Sequence, residues 1–265
     1  MATNVLKRRV ITAAIGIPIM LALIYWGGWV LAIATAILST VGIYEMDHMF
    51  RSRTLVFFPR IGALWAWAAI FAQAAHWPLL PVLVAGLTAT VLAAVVLGRE
   101  ANSFEGAMTT TWASLYVGVL LSFLLLLRTL DHGRRLTFGF FVVIWITDAM
   151  AFFMGRKFGR RKLLPHVSPG KTWVGTLSGF FSAMVAGVLL SGWLGLGEWQ
   201  GALFGAVISV SGQIGDLLES QFKRYTGVKD SGGLLPGHGG FLDRFDSVLL
   251  ALPLAYYFLR SLGIS

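Results

Sequence analysis

Between Lys229 and Ser247 the chain reads KDSGGLLPGHGGFLDRFDS, which sets two cations, three carboxylates and a histidine among glycines, beside an apolar segment. The carboxylates have the spacing of a site. Asp243 and Asp246 are three apart and share one face of a helix starting there, where the helix dipole favours negative charge in any case. Upstream, SGQIGDLLESQFKR puts Asp216, Glu219, Ser220 and Lys223 at i, i+3, i+4 and i+7, a single helical stripe. Glu219 and Lys223 alone would be an ordinary helix pair, worth roughly 0.2–0.5 kcal/mol. Asp216 follows Gln213 in apolar sequence, where an ionised group needs a partner or a task. Hard divalent cations take oxygen ligands, and Mg²⁺ is typically held by one or two carboxylates plus substrate phosphate; Asp216, Asp243 and Asp246 suit that chemistry.

Anions are the complementary theme. Gly232, Gly233, Gly237, Gly239 and Gly240 can turn backbone N–H groups towards phosphate, and Lys223, Arg224, Lys229 and Arg244 surround them with positive charge. His238 could contact phosphate or act as an acid, while a loop histidine serves equally often as a structural hydrogen-bonder. Asp148, in VIWITDAMAFFMGRKFG, is a carboxylate inside an apolar run. The GKT of VSPGKTW looks like the end of a P-loop, but Pro165 stands where the first glycine belongs and no strand is expected before it. Ser168, Lys171 and Thr172 are expected at the start of a helix, as phosphate or nucleotide contacts.

The elements that position these residues follow from composition. Of 265 residues 57% are hydrophobic and 12% charged, with mean hydropathy +0.76. That is the balance of a polytopic, all-α integral membrane protein. The absence of cysteine excludes disulfides, thiolate metal sites and cysteine nucleophiles. The histidines show no zinc-ligand spacing. Dividing the apolar runs at charges, prolines and glycines predicts about nine spans, near 10–26, 28–46, 61–76, 79–97, 111–127, 138–154, 172–192, 201–219 and 247–260. The basic N-terminus followed by an apolar run has the form of a signal peptide, yet the small residues suited to cleavage lie inside the next run, so an uncleaved span is expected. The net charge of +9 reflects mostly loop lysines and arginines on the cytoplasmic side. With Lys7, Arg8 and Arg9 inside, alternation puts the basic loop Gly155–Lys171 and the loop after the eighth span inside too; Arg128, Arg134 and Arg135 fall on the far side, against the rule. Small residues recur every fourth position in the seventh span (Gly175, Gly179, Ala183, Gly187) and the eighth (Gly201, Gly205, Ser209), which predicts that these two pack closely. Residues 1–137 read as scaffold helices and 138–265 as helices bearing the active-site loops.

Taken together, Ser220–Arg224, Lys229–Asp230, Pro236–Gly240 and Asp243–Ser247 resemble the C-terminal signature of the phosphatidate cytidylyltransferases, or CDP-diacylglycerol synthases, as do Asp148–Gly159 and Val167–Trp173 upstream. The similarity covers roughly the C-terminal half. It departs from many members at Val174 and Ala149. The resemblance implies Mg²⁺-dependent transfer of a cytidylyl group from CTP to phosphatidate at the cytoplasmic membrane, with CTP, phosphatidate and the bilayer as partners, no nucleic acid, and a homodimer as an open assembly. It implies catalytic roles for Lys223, Arg224, Lys229, Asp230, His238 and Arg244. Substrate contacts fall to Asp148, Ser168, Lys171, Thr172, Ser220, Gly239 and Gly240, and the metal to Asp216, Asp243 and Asp246. The residues agree with this chemistry, because a phosphate monoester is already largely ionised at neutral pH and the carboxylates are not needed as bases. The alternatives are a membrane lipid or polyprenol kinase, and a transporter with an anion-binding vestibule. A transporter would carry its charge in two halves, whereas here it lies in one.

Overall fold

A computed structural model of the chain describes residues 2–97, 102–232 and 239–265, with side chains described over 14–96, 104–232 and 239–265. The protein is all-α and polytopic. Helices α1 (Ala2–Trp26), α2 (Gly28–Arg51), α3 (Pro59–Ala74) and α4 (Leu79–Leu97) are followed by α5 (Asn102–Ala113), a π-helical turn (Ser114–Val119) and α6 (Leu120–Thr129). Then come α7 (Gly133–Phe158), the strands β1 (Lys162–Leu164) and β2 (Ser168–Thr172), α8 (Trp173–Leu194), α9 (Glu198–Thr226) and α10 (Leu242–Ser261).

All nine apolar runs lie within or largely within helices, but among the described residues six helices, not nine, are long and apolar enough to cross a membrane. Of the other three, α3 and α10 fall short for physical reasons, and α1 is described with side chains only from Ala14. At 1.5 Å per residue the 16 residues of α3 reach only about 24 Å. Charged Asp243, Arg244 and Asp246 open α10, and α1 has a described apolar stretch of only Ala14–Trp26.

The hairpin β1–β2 is a departure from the expected helix start. Its strands pair antiparallel, Lys162 with Thr172 and Leu164 with Ser168. Leu164 and Ser168 each precede a proline, and the proline ring pushes the preceding residue into extended backbone. Ser168 and Lys171 therefore sit on a strand. Thr172 is the N-cap of α8, its hydroxyl accepting from Gly175 N at 3.1 Å.

The chain forms two compact units, each with contributions from two stretches of sequence. The first comprises Met1–Leu126 and Lys223–Arg244, the second Leu127–Phe222 and Phe245–Ser265. The chain leaves the first unit after Leu126 and returns to it over Lys223–Arg244. Ile43, Met46, Met49, Ala66, Ile70 and Leu121 form much of the first unit's core. In the second, Leu136, Phe140, Ala183, Phe204, Leu249 and Leu252 are buried.

The close approach expected between α8 and α9 is present: a Cβ at Gly187 would collide with the backbone of Gly201, and one at Gly205 with that of Ala183. The same stripe of α8 also admits α7, since a Cβ at Gly175 would lie 2.6 Å from the Ala151 carbonyl and one at Gly179 2.9 Å from that of Thr147. Small residues let these backbones touch where lipid gives no hydrophobic drive for pairing.

Candidate active site

In the second unit, four elements bring acidic and basic groups together. Helix α7 supplies Asp148, β2 supplies Lys171, α9 supplies Asp216, Glu219 and Ser220, and the first turns of α10 supply Asp246. Glycine sets the approach of α10. A Cβ at Gly212 would lie 3.3 Å from the Ser247 carbonyl, and Gly215 abuts the carbonyl of Asp246. With the helices this close, Asp246 feels the charges of Asp216, Glu219 and Asp148, and Asp148 feels those of Asp216 and Lys171. The Lys171 ammonium lies 2.6 Å from Asp216 Oδ2. Ser220 donates to the other oxygen of Asp216 at 3.3 Å, and Ser247 N donates to Asp246 Oδ1 at 2.6 Å.

Among the described residues, Asp148, Asp216 and Glu219 lie within electrostatic range of Asp246, and Lys171 pairs with Asp216. Like charges so close repel unless a cation or a proton relieves them. Lys171 supplies such a charge beside Asp216. Among the described residues no group of three or more His, Asp or Glu side chains is placed to hold a metal ion.

The first unit holds a second constellation, and it surrounds Asp243 with protein donors. Lys223 Nζ lies 2.6 Å from Asp243 Oδ1. The other oxygen accepts from Gly240 N at 2.8 Å, Ser231 N at 3.0 Å and Ser231 Oγ at 3.1 Å. Burial pushes the Asp243 carboxyl up, but the hydrogen bond from Lys223 and those from Gly240 and Ser231 outweigh it and hold it below the usual carboxylate range. With its oxygens committed to protein donors, Asp243 is a clasp closing the loop onto the start of α10. Asp246, one helical turn on, is the member of the pair that joins Asp216. Sequence spacing could not separate them, since both stand near a helix N-terminus.

Gly240 also differs from expectation, because its N–H points to Asp243 and is not available to an anion. Gly239 adopts a left-handed backbone, φ +81°, which glycine adopts without strain. Arg224, Lys229, Asp230 and Arg244 are exposed, and Ser168 is half-buried on β2. His238, Gly233 and Gly237 lie outside the described residues.

Sequence reading missed Glu45 altogether. This carboxylate of α2, 6% exposed, accepts from Phe241 N at 2.7 Å, Leu242 N at 2.9 Å and Ser231 Oγ at 2.9 Å. The only signal available was an acidic residue within the apolar run 28–46. It had no neighbour in sequence to give it meaning.

Comparison with other proteins bears on the whole chain. A family model described as the cytidylyltransferase family matches residues 7–262. Similar proteins include the phosphatidate cytidylyltransferase of Staphylococcus epidermidis, 35% identical over 254 residues, which cover 94% of this chain and 97% of that protein. That of Bacillus subtilis is 33% identical over 263 residues, covering 96% and 97%. A Staphylococcus aureus relative of the same name is 34% identical over 254 residues, covering 94% and 97%.

Proposed function

The chain belongs to the cytidylyltransferase family, and on that premise we propose that it transfers a cytidylyl group from CTP to phosphatidate, with the Asp148, Asp216, Asp246 and Lys171 cluster as its reaction centre. A phosphate oxygen of phosphatidate attacks the α-phosphorus of CTP, the bond to the β-phosphate oxygen breaks, and CDP-diacylglycerol and pyrophosphate result. No proton need be removed from the nucleophile, because a phosphate monoester is largely dianionic at pH 7. The chemistry therefore asks for positioning and charge compensation more than for a base.

The observation that carries this reading is the convergence of Asp148, Asp216 and Asp246, from three helices, with Lys171 from the hairpin. Asp216 and Asp246, with Asp148 beside them, would hold Mg²⁺. Bound there, Mg²⁺ would neutralise phosphate charge during transfer. Lys171, drawn to Asp216, stands ready to bind a phosphate oxygen, and Ser220 keeps the Asp216 carboxylate oriented. Ser168 and Thr172 frame Lys171 on the hairpin, Thr172 through its cap on α8. Arg224, Lys229 and Arg244 are proposed to hold the triphosphate, with Asp230 and His238 in the roles that the family motif assigns. Lys223 and Asp243 fix the loop that bears them. The hairpin's side of the membrane is the cytoplasm, where CTP is found, in keeping with the unbroken basic run Arg160–Lys162.

The decisive test is to incubate the detergent-purified protein with labelled CTP, phosphatidate and Mg²⁺ and look for a labelled CDP-lipid. Its formation, and its loss on chelation and recovery on Mg²⁺ addition, are expected. A separate incubation of an alcohol lipid with CTP labelled in its γ-phosphate, the group a kinase transfers while CDP leaves, would point to the kinase reading instead if it gave a labelled lipid phosphate.

A further inference from the structure

We infer that Glu45, on α2, is a positioning residue for the nucleotide loop of this enzyme, acting on substrate only through the backbone it holds. The inference rests on the assignment of Arg224, Lys229 and Arg244 to the triphosphate. Glu45 accepts the N–H groups of Phe241 and Leu242, the residue before α10 and its first residue. Those groups have no partner within the helix, so the carboxylate caps α10 from a distant helix as an Asp or Ser cap would from within. The helix dipole makes negative charge favourable at that position.

Its second oxygen also accepts from Ser231 Oγ at 2.9 Å, and Ser231 in turn donates through N and Oγ to Asp243. The two ends of the loop, Ser231 and Gly240–Leu242, are thereby fastened to one carboxylate. The surrounding glycines record how closely it is fitted. A Cβ at Gly232 would lie 2.9 Å from Glu45 Oε1, one at Gly240 would lie 2.6 Å from Oε2, and one at Gly42 would lie 3.2 Å from the Phe241 ring. Gly232 and Gly240 are needed where Glu45 passes, whatever they do for phosphate. Two of the three cations border the segment so fastened: Lys229 lies two residues before Ser231, and Arg244 two after Leu242, while Arg224 lies in the last turn of α9.

Glu45→Gln is the informative change, since it keeps the shape but places an NH₂ donor opposite a donor that the carboxylate had accepted. Full-length protein in detergent is assayed for CDP-lipid formation per folded molecule, varying CTP and phosphatidate separately. The KM for CTP is expected to rise at least roughly tenfold while kcat stays within about threefold, the pattern of lost uniform binding, and the KM for phosphatidate is expected to hold. Glu45→Asp, which keeps the charge, should give a smaller rise. Trypsin cleavage after Lys229 should accelerate in Glu45→Gln. An unchanged KM for CTP with only a lowered melting temperature would overturn the inference, because a merely structural carboxylate would do that. If Glu45→Gln does not fold, Glu45→Asp decides by the same two readings, and no change in either overturns it. If the unaltered protein makes no CDP-lipid, the functional assignment fails separately, and the cleavage rates alone decide whether Glu45 fastens the loop.

Discussion

At the scale of residues, the two aspartates that open α10 separate into different tasks, and their variants should separate too. Asp246→Asn and Asp216→Asn remove a charge from the proposed Mg²⁺ site and are expected to lose turnover by about 10²-fold or more, with folding retained, as measured by CDP-lipid formation and by melting. Asp243→Asn should instead lower stability by about 1–3 kcal/mol, the range for a buried acceptor that loses its partner, readable as a shift in thermal unfolding. The sign of its pH dependence follows from the depressed carboxyl of Asp243. The stabilisation is fully present above the ordinary carboxylate value of about 4 and is lost as pH falls through the lower folded value, so the difference between the parent and Asp243→Asn should shrink in acid. Lys171→Met should cut turnover at least roughly tenfold yet lower the Mg²⁺ concentration needed for half-activity, because it removes the cation competing at Asp216. Equal Mg²⁺ requirements in the two proteins would count against a shared site. Asp216 was legible in sequence because charge is costly in apolar surroundings, and Asp246 because it completed a helical spacing. Glu45 was not, since its meaning lies in partners 186 to 197 residues away.

At the scale of elements, the helices were legible and the hairpin was not. Apolar runs of spanning length announce themselves through composition, whereas Lys162–Thr172 is short, basic and proline-bearing, with no alternation to mark strands. The fourfold spacing of small residues on α8 pointed correctly to α9, but could not tell that its N-terminal part faces α7. That distinction gives a test with an internal control. Gly175→Val would drive a side chain against the Ala151 carbonyl, whereas Gly192, on the same helix, has open space around it. Gly175→Val is expected to destabilise by about 1–3 kcal/mol or more and Gly192→Val to stay near neutral in a thermal melt in detergent. A similar cost at both positions would mean that helix propensity, not the α7 contact, sets it.

At the scale of the whole molecule, a chain without cysteine lends itself to topology mapping. Arg161 and Trp199 are both exposed and lie beyond opposite ends of α8, so single cysteines placed there should react from opposite sides of the membrane, Arg161→Cys from the cytoplasm. Labelling of both from one side would mean that α8 does not cross. Charge counting could yield this orientation but not the interleaving of two units, which depends on contacts between distant stretches. The first unit is completed only by residues 223–244, and that has a consequence for biosynthesis. A ribosome adding about 5–20 residues per second needs roughly 10–40 s to travel from Glu45 to the residues that will bind it. Throughout that interval a carboxylate in an apolar helix lacks the three donors it finally receives. Nascent chains that stall short of Ser231 therefore carry an acidic residue in an apolar helix without the donors that settle it in the finished fold, a cost relieved only when the last helix begins.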